Sequence, residues 1–141
     1  MGLTKKSSTE IGTNYEVKVY EYLKNLLDLQ EIPGATRYSQ IHFHKTYLDE
    51  FGETVNPDIT IEIFRTEQST QPSLILVFEC KCLNTKLDIG DYNEFVGNLP
   101  RIRKFGVKGY IVTTIGFPQS AINRSRGLDS GYTTGIGLIK L

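Results

Sequence analysis

Several features that would narrow the class of protein are missing from this sequence of 141 residues. No apolar run approaches the roughly 18 residues that a membrane-spanning helix needs, and the polar stretch from Met1 to Ser7 predicts no signal peptide. The two cysteines, Cys80 and Cys82, are next-but-one neighbours, and a disulfide between such neighbours in one strand would be strained. Free thiols are typical of a reducing compartment, so we expect a cytoplasmic protein without a membrane partner.

An excess of charge is also missing. Sixteen Lys and Arg residues balance sixteen Asp and Glu residues, whereas a dedicated DNA-binding domain is usually more basic. Any contact with nucleic acid therefore depends on local groups of cations, or on other domains and subunits. Each candidate cation is equally typical of an ordinary solvated surface charge. The candidates are Lys86, Arg101, Arg103, Lys104 and Arg124.

The residues that are present fit one globular domain. A hydrophobic content of 39% and a charged content of 23% are ordinary, and the length suffices for one core but not for two. We therefore expect a single domain over residues 1–141, with residues 1–8 flexible. Apolar residues at spacings of three and four predict a first helix from about residue 12 to residue 29.

The remaining elements follow from apolar runs and turn signals. Strands are predicted over residues 37–47, 57–64, 74–82, 109–114 and 135–141. Further helices are predicted from Asp88 or Asp91 to Gly106, with Pro100 as a kink or break, and from Pro118 onwards. The order α-β-β-β-α-β-α-β begins as an antiparallel meander and continues with parallel crossovers. The predicted fold class is therefore α/β, with a mixed (α+β) sheet flanked by helices.

Polar residues alternate with apolar residues in the first two predicted strands. Ile59, Ile61 and Ile63 alternate with polar neighbours, which predicts one buried face and one face toward solvent. In the preceding strand, His42 and His44 share a face, and a His-x-His pair can bind a metal. No third ligand stands near this pair in the sequence, so we expect an ordinary polar strand face.

Three charged residues lie at the start of one predicted strand and at the end of the next. Asp58 begins the second strand, and Glu79 and Lys81 end the third, pointing to one side because they are two apart. In an antiparallel pair these ends are adjacent. Two carboxylates can hold Mg²⁺, and a lysine can position or deprotonate the attacking water in phosphodiester hydrolysis. The alternative is an Asp that caps a turn and a Glu–Lys surface pair without chemistry, and the spacing alone does not decide.

The motif Pro57-Asp58 followed by Glu79-Cys80-Lys81 resembles that of the PD-(D/E)xK nuclease superfamily. Gly12-Thr13-Asn14-Tyr15-Glu16 resembles the G-x-x-[FY]-E opening of Mrr-like restriction endonucleases. The later segments Gly109–Thr114 and Gly135–Ile139 resemble strands of the same group, so the similarity spans about residues 12 to 141. Archaeal Holliday-junction resolvases share this arrangement of a helix Glu, an Asp and a Glu-x-Lys.

The resemblance implies a restriction-endonuclease-like core and a role for each matched residue. Asp58 and Glu79 would bind the metal, Mg²⁺ or Mn²⁺ as its substitute, together with the backbone carbonyl of Cys80. Lys81 would be the catalytic lysine. Glu16, otherwise an ordinary glutamate at the edge of a helix, would approach the metal directly or through water. Mrr-like proteins often carry Gln in the helix after the motif, where this chain has Glu94, to which we assign no role.

The same resemblance implies a DNA endonuclease of the restriction or defence type. Its partner would be DNA, and it would act as a homodimer or attached to a specificity or translocase domain or subunit. Two alternatives stay open from the sequence. One is a catalytically inactive nuclease-fold module that binds DNA or a protein, and the other is a junction resolvase.

Overall fold

A computed structural model describes residues 8–82, 87–125 and 136–141. The helices within these ranges are α1 (Ser8–Asp28), α2 (Ile89–Ile102) and α3 (Gln119–Ser125). The strands are β1 (Gln40–Phe43), β2 (Tyr47–Leu48), β3 (Thr54–Val55), β4 (Ile59–Ile63), β5 (Leu74–Lys81), β6 (Val107–Thr113) and β7 (Gly137–Lys140). Residues 1–8 were predicted to be flexible. Ser8 is instead the first residue of α1, and residues 1–7 lie outside the described ranges. Among the described helices, none has the length and apolar character to cross a bilayer.

Five strands form one sheet in the order β1-β4-β5-β6-β7. β1, β4 and β5 pair antiparallel, whereas β5, β6 and β7 pair parallel. The parallel pairs arise where α2 and α3 lie between consecutive strands of the sheet, because a parallel connection must cross back over it. The predicted meander, the crossovers and the mixed sheet flanked by helices are confirmed.

β5 is buried on both faces because its apolar residues do not alternate with polar ones. Leu76 and Phe78 belong to the core cluster that includes the apolar stripe of α1. Ile75 and Val77 belong to a second cluster, which includes the buried residues of α2. Burial of a side chain of this size contributes about 1.5–3 kcal/mol. The two clusters make β5 the central strand, which its continuous apolar run favours, and fix the position of its charged carboxyl end.

β4 departs from the prediction of one solvent-facing side. All five of its residues are buried, including Thr60 and Glu62. The segment after β1 covers that side. The Tyr47 hydroxyl lies 2.9 Å from both Thr60 Oγ1 and Glu62 Oε2, and Lys45 Nζ donates to Glu62 Oε2 at 2.8 Å. The alternating pattern does not reveal this, because the covering residues belong to another part of the chain.

β1 is shorter than the predicted strand over residues 37–47. It ends at Phe43 because the next residue, His44, has a left-handed backbone with φ of 55°, which does not continue a strand. The small β2–β3 hairpin then replaces the plain turn expected before β4. Gly52, with φ of 79°, supplies the left-handed position in this hairpin.

Two local predictions are corrected at the ends of α2 and β5. Pro100 does not break α2, which is one helix from its N-cap at Asp88 to Ile102; the proline lies within its last turn. Alternation along the strand predicts core positions for Cys80 and Cys82, which face away from Glu79. Cys80 is buried, but Cys82 is exposed because β5 ends one residue before it. Both cysteines are free thiols, as predicted.

Candidate metal centre

The registers of the antiparallel strands bring three polar residues into one row. Continued by one residue, the pairing of β1 with β4 sets His44 opposite Asp58, and the pairing of β4 with β5 sets Asp58 opposite Glu79. The His44 amide donates a hydrogen bond to the Asp58 carbonyl at 2.9 Å, which continues the β1–β4 pairing beyond the strand. The row lies at the carboxyl end of β5, where Lys81 is the last residue of the strand.

Asp58 is the centre of this row. Its Oδ2 accepts a hydrogen bond from the Cys80 amide at 2.8 Å, which fixes the carboxylate against β5. Glu16 reaches the same place from α1, and ligand atoms of Glu16, His44 and Asp58 lie within 4.8 Å of one another. The structure therefore brings Glu16 and Asp58 together, and Glu79 lies opposite Asp58 in the row without belonging to this group of ligand atoms. The use of the Cys80 carbonyl as a ligand stays a prediction.

His44 is a member of the site that sequence reasoning missed. Its Nε2 lies 2.7 Å from Glu16 Oε2, and 49% of its side chain is exposed. His42 instead contacts Glu62 Oε1 at 2.8 Å, so the two histidines do not form the pair considered from the sequence. A signal for His44 existed in the predicted meander, because pairing its first two strands places residue 44 beside Asp58.

The carboxylates of the site repel one another. Burial, followed by the charge of Asp58, raises the pKa of Glu79 to about 7, and Lys81 opposes this effect. Burial also raises the pKa of Asp58; the Cys80 amide opposes the rise and the charge of Glu16 adds to it. Concentrated, partly buried negative charge favours a bound cation. The carboxylate oxygens therefore fit a hard divalent cation such as Mg²⁺.

Lys81 and Glu79 also face a small cleft beside α2. Lys81 Nζ lies 3.7 Å from Glu79 Oε1. Both residues line a cleft of about 80 Å³ together with Asp91, Glu94 and Asn98 of α2. Glu94 is exposed, as an ordinary helix glutamate would be, and at the same time borders this cleft. The cleft has space for water next to the lysine, which hydrolysis requires.

Three of the cations predicted to bind nucleic acid line a different groove, of about 480 Å³, between the β2–β3 hairpin and the end of α2. Arg101 Nε lies 3.2 Å from Asp49 Oδ2, and Lys104 Nζ lies 3.3 Å from Glu50 Oε2. Arg103 donates to a backbone carbonyl. Asp58, Glu79 and Lys81 do not line this groove, whereas Glu79 and Lys81 line the smaller cleft. The last two candidates, Lys86 and the side chain of Arg124, lie outside the part of the chain that the structure describes.

Comparisons with known proteins give structural matches alone. No protein-family model matches this chain, and no curated protein matches it. The crystal structure of AF1548, a protein of unknown function, shares 13% identity over 87% of this chain and 56% of its own, with a TM-score of 0.59. Protein VC1899 from Vibrio cholerae shares 14% identity over 89% of this chain and 29% of its own, with a TM-score of 0.60. The MspJI restriction endonuclease, solved with a 27-mer oligonucleotide, shares 15% identity over 99% of this chain and 33% of its own, with a TM-score of 0.50.

The fold is restriction-endonuclease-like. This finding agrees with the fold that the sequence motifs imply, and it comes from the arrangement of the backbone rather than from those motifs. Likeness at such low identity establishes the fold and leaves the chemistry to the residues of the site. The chain also spans little more than half of AF1548, and about a third or less of the other two structures.

Proposed function

We propose that this chain is a metal-dependent DNA endonuclease of the restriction or defence type, which hydrolyses phosphodiester bonds. The observation that carries the proposal is the convergence of Asp58, Glu79 and Lys81 at one end of the sheet, with Glu16 beside them. The restriction-endonuclease-like fold supports the reaction class. The oligonucleotide in the MspJI complex supports nucleic acid as the substrate.

Each residue of the site has its own task in hydrolysis. Asp58, Glu79 and Glu16 supply carboxylate oxygens for Mg²⁺, with Mn²⁺ as a substitute and the Cys80 carbonyl as a further ligand. When bound, the cation polarises a phosphoryl oxygen and lowers the pKa of an adjacent water. Lys81 orients the attacking water and balances the charge that builds up on the phosphate. The water oxygen forms a bond to phosphorus while the bond between phosphorus and one sugar oxygen breaks. The departing sugar oxygen takes up a proton.

Cleavage of plasmid DNA by the purified chain tests this proposal. With Mg²⁺ or Mn²⁺ we expect the wild type to nick or cut the DNA. Asp58→Asn removes a charged ligand and Lys81→Met removes the ammonium group, so each lowers the rate by a factor of about 100 or more. Asparagine keeps an oxygen that accepts the hydrogen bond from the Cys80 amide, so we expect this variant to fold normally.

Lys108→Met is the matched control for Lys81→Met. Lys108 lies on β6, five residues before the partner of Lys81 in the β5–β6 pairing, or about 17 Å along the strand. We expect the control to cleave like the wild type. Cleavage that survives both Asp58→Asn and Lys81→Met would contradict the proposed site. Faster cutting of a four-way junction than of a linear duplex would assign the chain to the junction resolvases.

A second candidate is a catalytically inactive module of the same fold that binds DNA or a protein. One observation favours it: Arg101 and Lys104 are engaged in ion pairs, in a chain without net positive charge. Titration calorimetry separates the two candidates. An endonuclease binds Mg²⁺ or Mn²⁺ and loses this binding in Asp58→Asn, whereas the inactive module shows no binding that depends on Asp58.

A further inference from the structure

His44 lies between two carboxylates at the end of β1. Its Nε2 is 2.7 Å from Glu16 Oε2, and ligand atoms of His44, Glu16 and Asp58 are all within 4.8 Å of one another. Opposite ligands on an octahedral ion with bonds of about 2.1 Å are about 4.2 Å apart. Three ligands on one octahedral ion include at most one opposite pair, and the other pairs lie about 3.0 Å apart, so the side chains move toward one another when the ion binds.

The imidazole ring is held in place from several directions. Phe43 stacks on it with a centroid distance of 4.1 Å and an interplanar angle of 17°, and Tyr20 packs edge-on against Phe43. The backbone of His44, with φ of 55°, donates to the Asp58 carbonyl. The stacking and the hydrogen-bonded backbone limit the positions that the half-exposed ring can take.

The other histidine shows what a purely structural contact looks like in this chain. His42 lies 2.8 Å from Glu62, but that carboxylate also accepts from Lys45. The charge of Glu62 is thus balanced by an ammonium group at 2.8 Å. At His44, the ligand atoms of Glu16 and Asp58 lie within 4.8 Å, and among the described residues neither carboxylate forms an ion pair with a Lys or Arg side chain. The surroundings of His44 therefore favour a further cation.

We propose that Nε2 of His44 is a direct ligand of the catalytic cation, beside the carboxylates of Glu16 and Asp58, and that the centre therefore selects Mn²⁺ over Mg²⁺. An imidazole nitrogen suits transition ions, whereas Mg²⁺ prefers oxygen ligands. The inference rests on the proposed function and makes Mn²⁺, named there as the substitute, the preferred ion in place of Mg²⁺. It also makes Glu16 a direct ligand rather than one that acts through water.

Pulsed electron paramagnetic resonance of bound Mn²⁺ tests the ligand directly and without DNA. The chain has two histidines in total, so a coordinated imidazole comes from His44 or His42 once any affinity tag is removed. We expect coupling to ¹⁴N in the wild type, its loss in His44→Asn and its retention in His42→Gln. Asparagine is chosen because it tolerates the left-handed backbone at this position.

Titration calorimetry gives the second readout. We expect His44→Asn to weaken Mn²⁺ binding by about tenfold or more and Mg²⁺ binding by much less. Labelling the wild type with ¹⁵N-histidine gives a result that does not depend on the folding of any variant, because the ¹⁴N coupling must then be replaced by ¹⁵N coupling.

The outcomes separate this inference from the proposed function. Bound Mn²⁺ without histidine coupling in the wild type overturns the role of His44 and leaves the carboxylate centre in place. Coupling that disappears in His42→Gln and survives in His44→Asn also overturns it. Failure of the wild type to bind Mn²⁺ or Mg²⁺ overturns the proposed function and this inference together.

Discussion

At the scale of single residues, the surroundings of Glu79 disfavour its ionised form. Burial and the charge of Asp58 raise its pKa from 4.5 to about 7. Between these two pH values the folded protein keeps a proton on Glu79 that the unfolded chain releases. By linkage, the contribution of this group to stability is fully present below pH 4.5 and is lost as the pH rises to about 7.

Glu79→Gln should therefore stabilise the protein when metal is absent. Glutamine has nearly the same shape and no charge to bury, so we expect the free energy of unfolding to rise by roughly 1–3 kcal/mol at about pH 8 and hardly at all at about pH 4. Urea unfolding at both pH values, with a chelator present, measures the change. Glu67→Gln, in an exposed loop, is the control. A variant less stable than the wild type at about pH 8 would show that the contact of Glu79 with Lys81 outweighs its burial.

The sequence predicts part of the site because some of its residues are marked by local patterns. Asp58 immediately precedes a recognisable strand, Glu79 lies near the end of the next, and Lys81 follows at a spacing that fixes its side. Glu16 could be predicted because the segment around it resembles the opening of Mrr-like restriction endonucleases. His44 has no such mark, because its place depends on a strand register and on a backbone turn with φ of 55°. A local pattern contains neither of these.

At the scale of elements, Glu62 ties the segment after β1 to the sheet. His42, Lys45 and Tyr47 contact its carboxylate at 2.8, 2.8 and 2.9 Å. Burial acts to raise the pKa of Glu62, but these hydrogen bonds outweigh it and the pKa is lowered. The resulting stability is present above the unfolded value of 4.5 and is lost as the pH falls through the folded value. The network thereby holds Lys45, and with it the adjacent His44, against β4.

Glu62→Gln should weaken the attachment of the segment after β1 to the sheet. Glutamine keeps the shape but leaves Lys45 without its carboxylate, and we expect a loss of about 2 kcal/mol in the free energy of unfolding at about pH 7. The loss is smaller than for a fully buried pair because 38% of the Lys45 side chain is exposed and can regain water. The difference should shrink as the pH falls below 4.5 and the wild-type carboxylate begins to take up a proton at its lowered pKa. Equal stability at about pH 7, in urea unfolding beside Glu67→Gln, would contradict the role of the network.

The elements that the sequence did not predict depend on contacts between distant parts of the chain. The burial of the polar side of β4 requires Tyr47, which lies 13 residues before Thr60. Arg101 lies 52 residues from Asp49, its partner across the groove. The hydrophobic patterns of α1, β4, β5 and α2 are strong enough to be recognised alone, whereas a two-residue strand or a single ion pair is not.

At the scale of the whole molecule, the described residues contain one set of Asp58, Glu79 and Lys81. Under the proposed function one such set hydrolyses one strand of a duplex at a time, so a break through both strands needs a second set, from a homodimer or an attached subunit, or two successive cuts by one set. The balance of sixteen positive and sixteen negative side chains gives little long-range attraction to DNA. An attached specificity or translocase domain would supply further contacts with DNA, whereas a second copy of this chain adds no net positive charge.

Mixing wild type with an excess of Lys81→Met tests whether two copies cooperate. Lys81→Met keeps the surfaces of the protein but cannot cut, so most wild-type chains would then share a DNA site with an inactive partner. If two chains must act together, the ratio of linear to nicked plasmid falls in proportion to the active fraction, because nicking needs one active chain and a double-strand break needs two. Lys108→Met, which remains active, should leave the ratio unchanged when it replaces Lys81→Met in the mixture. A constant ratio with Lys81→Met would mean that one chain makes both cuts in turn, and the expectation of a homodimer would then be wrong.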